Sequence, residues 1–221
     1  MKILLQSAAL DSIRWALEAG FADGVFVTPS VLDADAFGVD LPVQVEMIAR
    51  LGTGPVFVTV GAVAADDIYR DGRELARVAD TVIIAVPFVE DGATALRRLT
   101  ADGVRTAATY IVSPGQAVLA AKAGAEHVCV AVDQLDAHGQ DASTVLQEIR
   151  AIFDRHGVEC EVVAVAADSA RLVTASLADG ADSVAVAPAT LRTLVQHPLT
   201  DRSLDHLLAD ISRRPRQRAP V

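Results

Sequence analysis

Runs of Val, Ile, Thr and Ala recur along the chain with almost no polar alternation. They fall at residues 2–6 (KILLQ), 24–28 (GVFVT), 55–60 (PVFVTV), 81–86 (TVIIAV), 104–109 (VRTAAT), 127–132 (HVCVAV), 160–165 (CEVVAV) and 183–187 (SVAVA). Continuous apolar runs of this length predict parallel strands buried on both faces. Between them lie segments with apolar residues at i, i+3, i+4 spacing, such as 12–20, 66–80 and 143–157, which predict amphipathic helices. Gly20, Gly103, Gly124, Gly157 and Gly180 close several of these, as left-handed helix C-caps do. Strand and helix alternate eight times without a long linker. The pattern predicts an α/β chain, a single-domain (β/α)8 TIM barrel; a doubly wound open sheet is the structural alternative. Residues 189–212 read as helical with a break at Pro198, giving an extra C-terminal helix, so the barrel unit spans 1–212. The tail 213–221 (RRPRQRAPV) is basic and proline-containing, and disorder is expected there.

Composition narrows the function classes. Hydrophobic residues make up 52% of the 221 and aromatics only 4%, so the core is built from aliphatic side chains. Nineteen Lys plus Arg against 29 Asp plus Glu give a net charge of −10, which disfavours nucleic acid and membrane as partners. The N-terminal apolar run is broken by Gln6 and Asp11, too early for a signal-peptide core. Two cysteines, Cys129 and Cys160, provide neither a disulfide framework nor a zinc spacing, and a cytoplasmic location is expected. Phosphate-binding glycine loops, HExxH, GxSxG and CxxC are absent, and neither a metal nor a cofactor is expected.

Six segments in order carry a family resemblance: GVFVTPS (24–30), VPFVEDG (86–92), GVRTAAT (103–109), AGAEHV (123–128), LDAHG (135–139) and LADGADSVAVAP (177–188). With them the chain resembles the small transaldolase-like aldolases, which include fructose-6-phosphate aldolase. The resemblance implies the same (β/α)8 fold and a homo-oligomeric ring, a pentamer or decamer, built through the C-terminal helix. It also implies a Schiff-base lysine on the fourth strand, whose amine would act as electron sink. The matching position is Ala85, and the chain has only two lysines, Lys2 and Lys122. By the same correspondence Gln6 replaces an acid, Thr28 an asparagine, Thr59 a glutamine and Ala131 a tyrosine, while Thr109 persists. At the phosphate site Gln134 replaces an arginine and Ala166 a serine, with Asp168 nearby.

From these departures follow two expectations. The imine route is closed, and sugar phosphates are not substrates. The mouth positions Gln6, Thr28, Thr59, Ala85, Thr109, Cys129, Ala131 and Ala166 read as small and uncharged, suited to a neutral, bulkier small-molecule ligand. Thr109, Cys129 and Gln6 are the candidate catalytic residues; Thr28, Thr59, Ala85, Ala131, Gln134 and Ala166 are the candidate binding residues. Cys129 is a nucleophile candidate set against ordinary core packing. Phe26, Phe88 or Tyr110 filling the space is the competing arrangement. The strand-end acids Glu90, Asp91, Asp133, Asp136 and Asp168 read as helix caps or as acid/base groups, and His138 as an exposed loop histidine or a second acid/base candidate. Two functions stand open. One is a repurposed enzyme of cyclase, isomerase, dehydratase or lyase type without Schiff-base chemistry, by analogy in specialised biosynthesis. The other is a pseudo-active site in a non-catalytic binding or scaffold protein.

Overall fold

A computed structural model describes residues 1–35, 40–52, 54–166 and 168–213. Its elements run β1 (Lys2–Leu5), α1 (Leu10–Glu18), β2 (Gly24–Val27), α2 (Pro29–Asp35), α3 (Leu41–Ala49), β3 (Val56–Thr59), α4 (Ala65–Ala76), β4 (Val82–Pro87) and α5 (Glu90–Ala101). There follow β5 (Thr106–Ile111), α6 (Pro114–Ala123), β6 (His127–Val130), α7 (Val132–Ala137), α8 (Ala142–His156), β7 (Glu161–Val165), α9 (Ala170–Ala178), β8 (Ser183–Val186), α10 (Pro188–Val195) and α11 (Pro198–Arg213). The eight strands close in chain order into one barrel, every pair parallel, with β1 beside β8. The chain is therefore a (β/α)8 barrel with an additional C-terminal helix. The tail residues 214–221 lie outside the described residues.

Each strand is apolar throughout because both of its faces are buried. Alternate residues point inward, and Leu4, Phe26, Phe57, Ile83, Ala85, Ala107, Cys129, Val163 and Ala185 form the inner core. Their neighbours, among them Val25, Val58, Ile84, Val128, Val162 and Val184, pack outward against the helices. Side-chain parity therefore decides whether a strand residue can reach the barrel mouth.

Local signals fix the helices that flank that mouth. Ser113 caps α6 by accepting from the Gln116 N–H, with Pro114 in the first turn, and Gly124 ends the helix at φ 102°. Ser169, not Asp168, caps α9 by accepting from the Leu172 N–H. Glu90 and Asp91 fall inside the first turn of α5, where they complement the helix dipole. Gly92 lets α5 lie tight on the end of β4: a Cβ there would stand 1.9 Å from the Pro87 carbonyl oxygen.

Two departures from the sequence pattern lie at the mouth. The fifth strand starts and ends two residues later than its apolar run, and β5 carries a bulge between Ala108 and Ile111. At the bulge Tyr110 takes φ 60°, and it is the one non-glycine among the described residues with positive φ. The sixth strand stops at Val130, and Val132, read as strand, opens α7 instead. Outside the barrel, α11 buries none of its residues and leaves Leu199, Leu204, Leu207, Leu208 and Ile211 exposed.

Candidate active site

At the C-terminal end of the strands a cavity of about 210 Å3 opens, lined by Gln6, Phe26, Thr28, Ser30, Thr59, Thr109, Tyr110, Ala131, Asp133, Gln134 and Val165. This is the end at which barrels of this architecture place their chemistry. A larger groove of about 670 Å3 lies outside the barrel near the starts of β4 and β5. Its Tyr69 and Arg73 are already engaged with Asp102, at 2.7 and 3.3 Å, so the groove is the weaker candidate.

Strand parity brings Gln6, Thr59 and Thr109 to the wall from β1, β3 and β5 or just beyond their ends. Three of their atoms, Gln6 Oε1, Thr59 Oγ1 and Thr109 Oγ1, are buried without a hydrogen-bond partner. A buried polar atom left unpaired costs about 1–3 kcal/mol, so three on one cavity wall mark places for ligand or water hydroxyls. Thr28 Oγ1 lies 2.9 Å from Ser30 Oγ and is already paired. Ala131 and Gln134 also line the wall, with the Gln134 carbonyl 2.8 Å from His138 Nδ1.

Of the nine residues the sequence assigned to the site, three are absent from the wall. Ala85 and Cys129 belong to the inner core and are fully buried, and neither lines the cavity. Phe26 belongs to the same inner core but lines the cavity: the residue is 2% exposed and its ring stacks on Phe57 at 5.5 Å. Burial pushes the Cys129 thiol far above its ordinary range, which leaves it unionised and a poor nucleophile. Ala166 has the opposite parity from Val165 and packs among the outward-facing core residues. Phe88 likewise packs on the outer core, so of the three aromatics considered as fillers only Phe26 and Tyr110 reach the cavity.

Five wall residues, Phe26, Ser30, Tyr110, Asp133 and Val165, stand outside the nine assigned to the site, and two of them, Tyr110 and Asp133, bear on its chemistry. Tyr110 stands at the rim because the bulge turns it there, and a bulge leaves no mark in hydrophobic periodicity. Asp133 reaches the wall from the first turn of α7, a segment read partly as strand. Its Oδ1 accepts from the Gln134 N–H at 2.8 Å. Burial, with Asp168 nearby as a second cause, raises its carboxyl above the usual aspartate range. Of the other strand-end acids, Asp136 pairs with Arg171 at 2.8 Å, and Glu90 and Asp91 sit in the first turn of α5. The mouth is thus more polar than its small residues suggested.

Neither lysine lies on the wall. Lys2 enters from the opposite end of the barrel, where its ammonium meets Glu161 at 2.7 Å. Lys122 stands in the last turn of α6. His127 lies at that opposite end too, with Nε2 3.5 Å from Glu161 and its ring edge-on to Phe57 at 4.9 Å. Among the described residues no group of three or more His, Cys, Asp or Glu is placed to hold a metal ion. No helix there is long and apolar enough to cross a membrane.

The family model for transaldolase/fructose-6-phosphate aldolase matches residues 19–218. The chain belongs to that family. It is 35% identical over 211 residues to a probable transaldolase of Ruegeria sp. (strain TM1040), covering 96% of each chain. It is 37% identical to a probable transaldolase of Rhizobium meliloti (strain 1021), covering 95% of this chain and 96% of that protein. A probable transaldolase 1 of Bacillus cereus is 33% identical over 95% of this chain. These relatives correct the functional expectation drawn from the sequence. A set of near full-length relatives named for transaldolase overturns both the repurposed enzyme acting on a neutral, non-phosphorylated substrate and the scaffold alternative. It overturns equally the exclusion of transaldolase-type activity. The inference failed because it passed from one missing side chain, at Ala85, to a missing reaction class.

Proposed function

We propose that this transaldolase-family chain is an enzyme of the transaldolase type, making or breaking a carbon–carbon bond of a hydroxylated carbonyl compound in the barrel mouth. One observation carries the reading. Gln6 Oε1, Thr59 Oγ1 and Thr109 Oγ1 are buried and unpaired on the wall of a single cavity. A sugar bears a hydroxyl on nearly every carbon and supplies partners at several closely spaced points, whereas an apolar ligand would leave all three atoms unsatisfied. The hydroxyl of Thr109 or Thr59 donates toward the carbonyl oxygen of the ligand, and Gln6 Oε1 accepts from a ligand hydroxyl.

Thr28, Ala131 and Gln134 complete the wall that shapes the substrate. The exposed leucines of α11 serve a homo-oligomeric ring of the kind the family resemblance implies, and two unpaired cysteines suit the cytoplasm.

The test is turnover with a ketose donor, fructose 6-phosphate or free fructose, and an aldehyde acceptor, for the wild type and for the Gln6→Ala/Thr109→Ala double variant. Transfer or cleavage by the wild type, lost by about 100-fold or more in the double variant, is the expected result. A wild type inert toward both donors, or a double variant as active as the wild type, overturns the reading.

A further inference from the structure

Asp133 is the one carboxyl among the described residues that line the cavity, and it stands on the wall that carries the three unpaired polar atoms. We infer that Asp133 is the proton-transfer residue of this site, facing the substrate hydroxyl whose deprotonation opens the carbon–carbon bond. The inference rests on the transaldolase-type reading above.

The geometry separates this role from a purely structural one. Asp133 does hold the Gln134 N–H, as many residues in a first helical turn hold a neighbour. But α7 is only six residues long, its N-cap is Ala131, and that cap makes no side-chain bond. A carboxyl whose only task is to close such a turn gains nothing from facing a cavity beside unpaired hydroxyls. Among the described residues that line the wall there is no Lys or Arg to quench it. Withdrawn from water and close to Asp168, the carboxylate binds a proton more tightly than a surface aspartate and is the better base.

The step balances without an added reactant. Asp133 takes the proton from the hydroxyl β to the substrate carbonyl. The oxygen's electrons form the new aldehyde C=O as the carbon–carbon bond breaks. The bonding pair passes to the donor half as an enediolate, whose oxygen accepts a hydrogen bond from Thr59 or Thr109. Protonation of that fragment completes cleavage, and its attack on a second aldehyde completes transfer, with Asp133 returning its proton. No atom is oxidised or reduced overall.

Asp133→Asn tests the assignment because the amide keeps an acceptor for the Gln134 N–H. Its kcat is expected to fall about 100-fold or more with KM changed by less than about threefold, and the acidic limb of the kcat profile to disappear. Unchanged kcat, or a retained acidic limb, overturns the inference while leaving the transaldolase reading intact. A second readout does not depend on turnover. In protein with 13C-labelled aspartate carboxyls, the signal lost in Asp133→Asn is expected to titrate above the ordinary aspartate range and to shift on adding fructose. An ordinary midpoint that fructose does not move overturns the inference. If the wild type turns over no donor but the Asp133 signal still moves with fructose, the transaldolase reading falls and Asp133 stands as the titrating group of the ligand site.

Discussion

Tyr110 holds a left-handed backbone at φ 60° on the rim of the cavity. For a bulky L-residue that is strain, and the structure says what relieving it should do. The clean comparison is Tyr110→Gly with Tyr110→Ala, because both remove the half-exposed ring and differ only in tolerance of positive φ. A left-handed conformation costs a non-glycine L-residue about 1–2 kcal/mol. Glycine loses more chain freedom on folding than alanine, a penalty of about 0.5–1 kcal/mol. The glycine variant is therefore expected to be the more stable, by about 0.75 kcal/mol at the middle of the two ranges and about 1.5 kcal/mol at most. At an ordinary strand position the order is the reverse, with alanine ahead by about 0.5–1 kcal/mol. Urea unfolding of the two variants, with equal m values, reads the sign directly from their midpoints. Alanine at or above glycine would refute a strained Tyr110, and with it the idea that the bulge holds the ring at the rim at a cost in stability.

Phe26→Ala is expected to destabilise by about 3–5 kcal/mol, toward the lower figure because the void opens onto the cavity and admits water. It should also expose Cys129, fully buried in the wild type and part of the same inner cluster, to thiol reagents; a thiol as unreactive as in the wild type would show that Phe26 does not shield it. Asp133→Asn bears on pH as well. A carboxyl held above its unfolded value contributes stability at low pH that is lost as pH rises through the folded midpoint. At neutral pH the asparagine variant should therefore melt above the wild type, with the advantage fading on acidification. An advantage that grows toward low pH would reverse the sign of the argument.

The barrel was legible because doubly buried parallel strands write themselves as unbroken Val- and Ile-rich runs, as in VFVT of β3 and VIIAV of β4. Inward parity also carries Gln6, Thr59 and Thr109 to the wall of the mouth cavity. Depth along the barrel was not legible. Ala85 and Cys129 share the inward parity but stay fully buried in the inner core, whereas Phe26 of the same cluster lines the cavity, and parity alone does not separate them. Ala166 failed on parity itself, falling one residue past the inward Val165. The sequence offered Tyr110 only as a filler, because a bulge sets its place at the rim, and Asp133 only as one of five strand-end acids, because the short α7 that brings it to the wall continued an apolar run. The reaction class was not legible either. Without a lysine at residue 85 the sequence suggested that the chemistry had gone, while relatives named for transaldolase along the whole chain point the other way.

The most direct test of the account follows a carbon label. Fructose 6-phosphate carrying 13C at C3 is incubated with the wild-type protein and an excess of an aldehyde acceptor, and the products are read by carbon NMR. Transaldolase-type chemistry in the mouth predicts label leaving the donor, either as a released three-carbon ketone or bonded to the acceptor. Label that stays in intact donor at high protein concentration, with free fructose giving the same result, contradicts it.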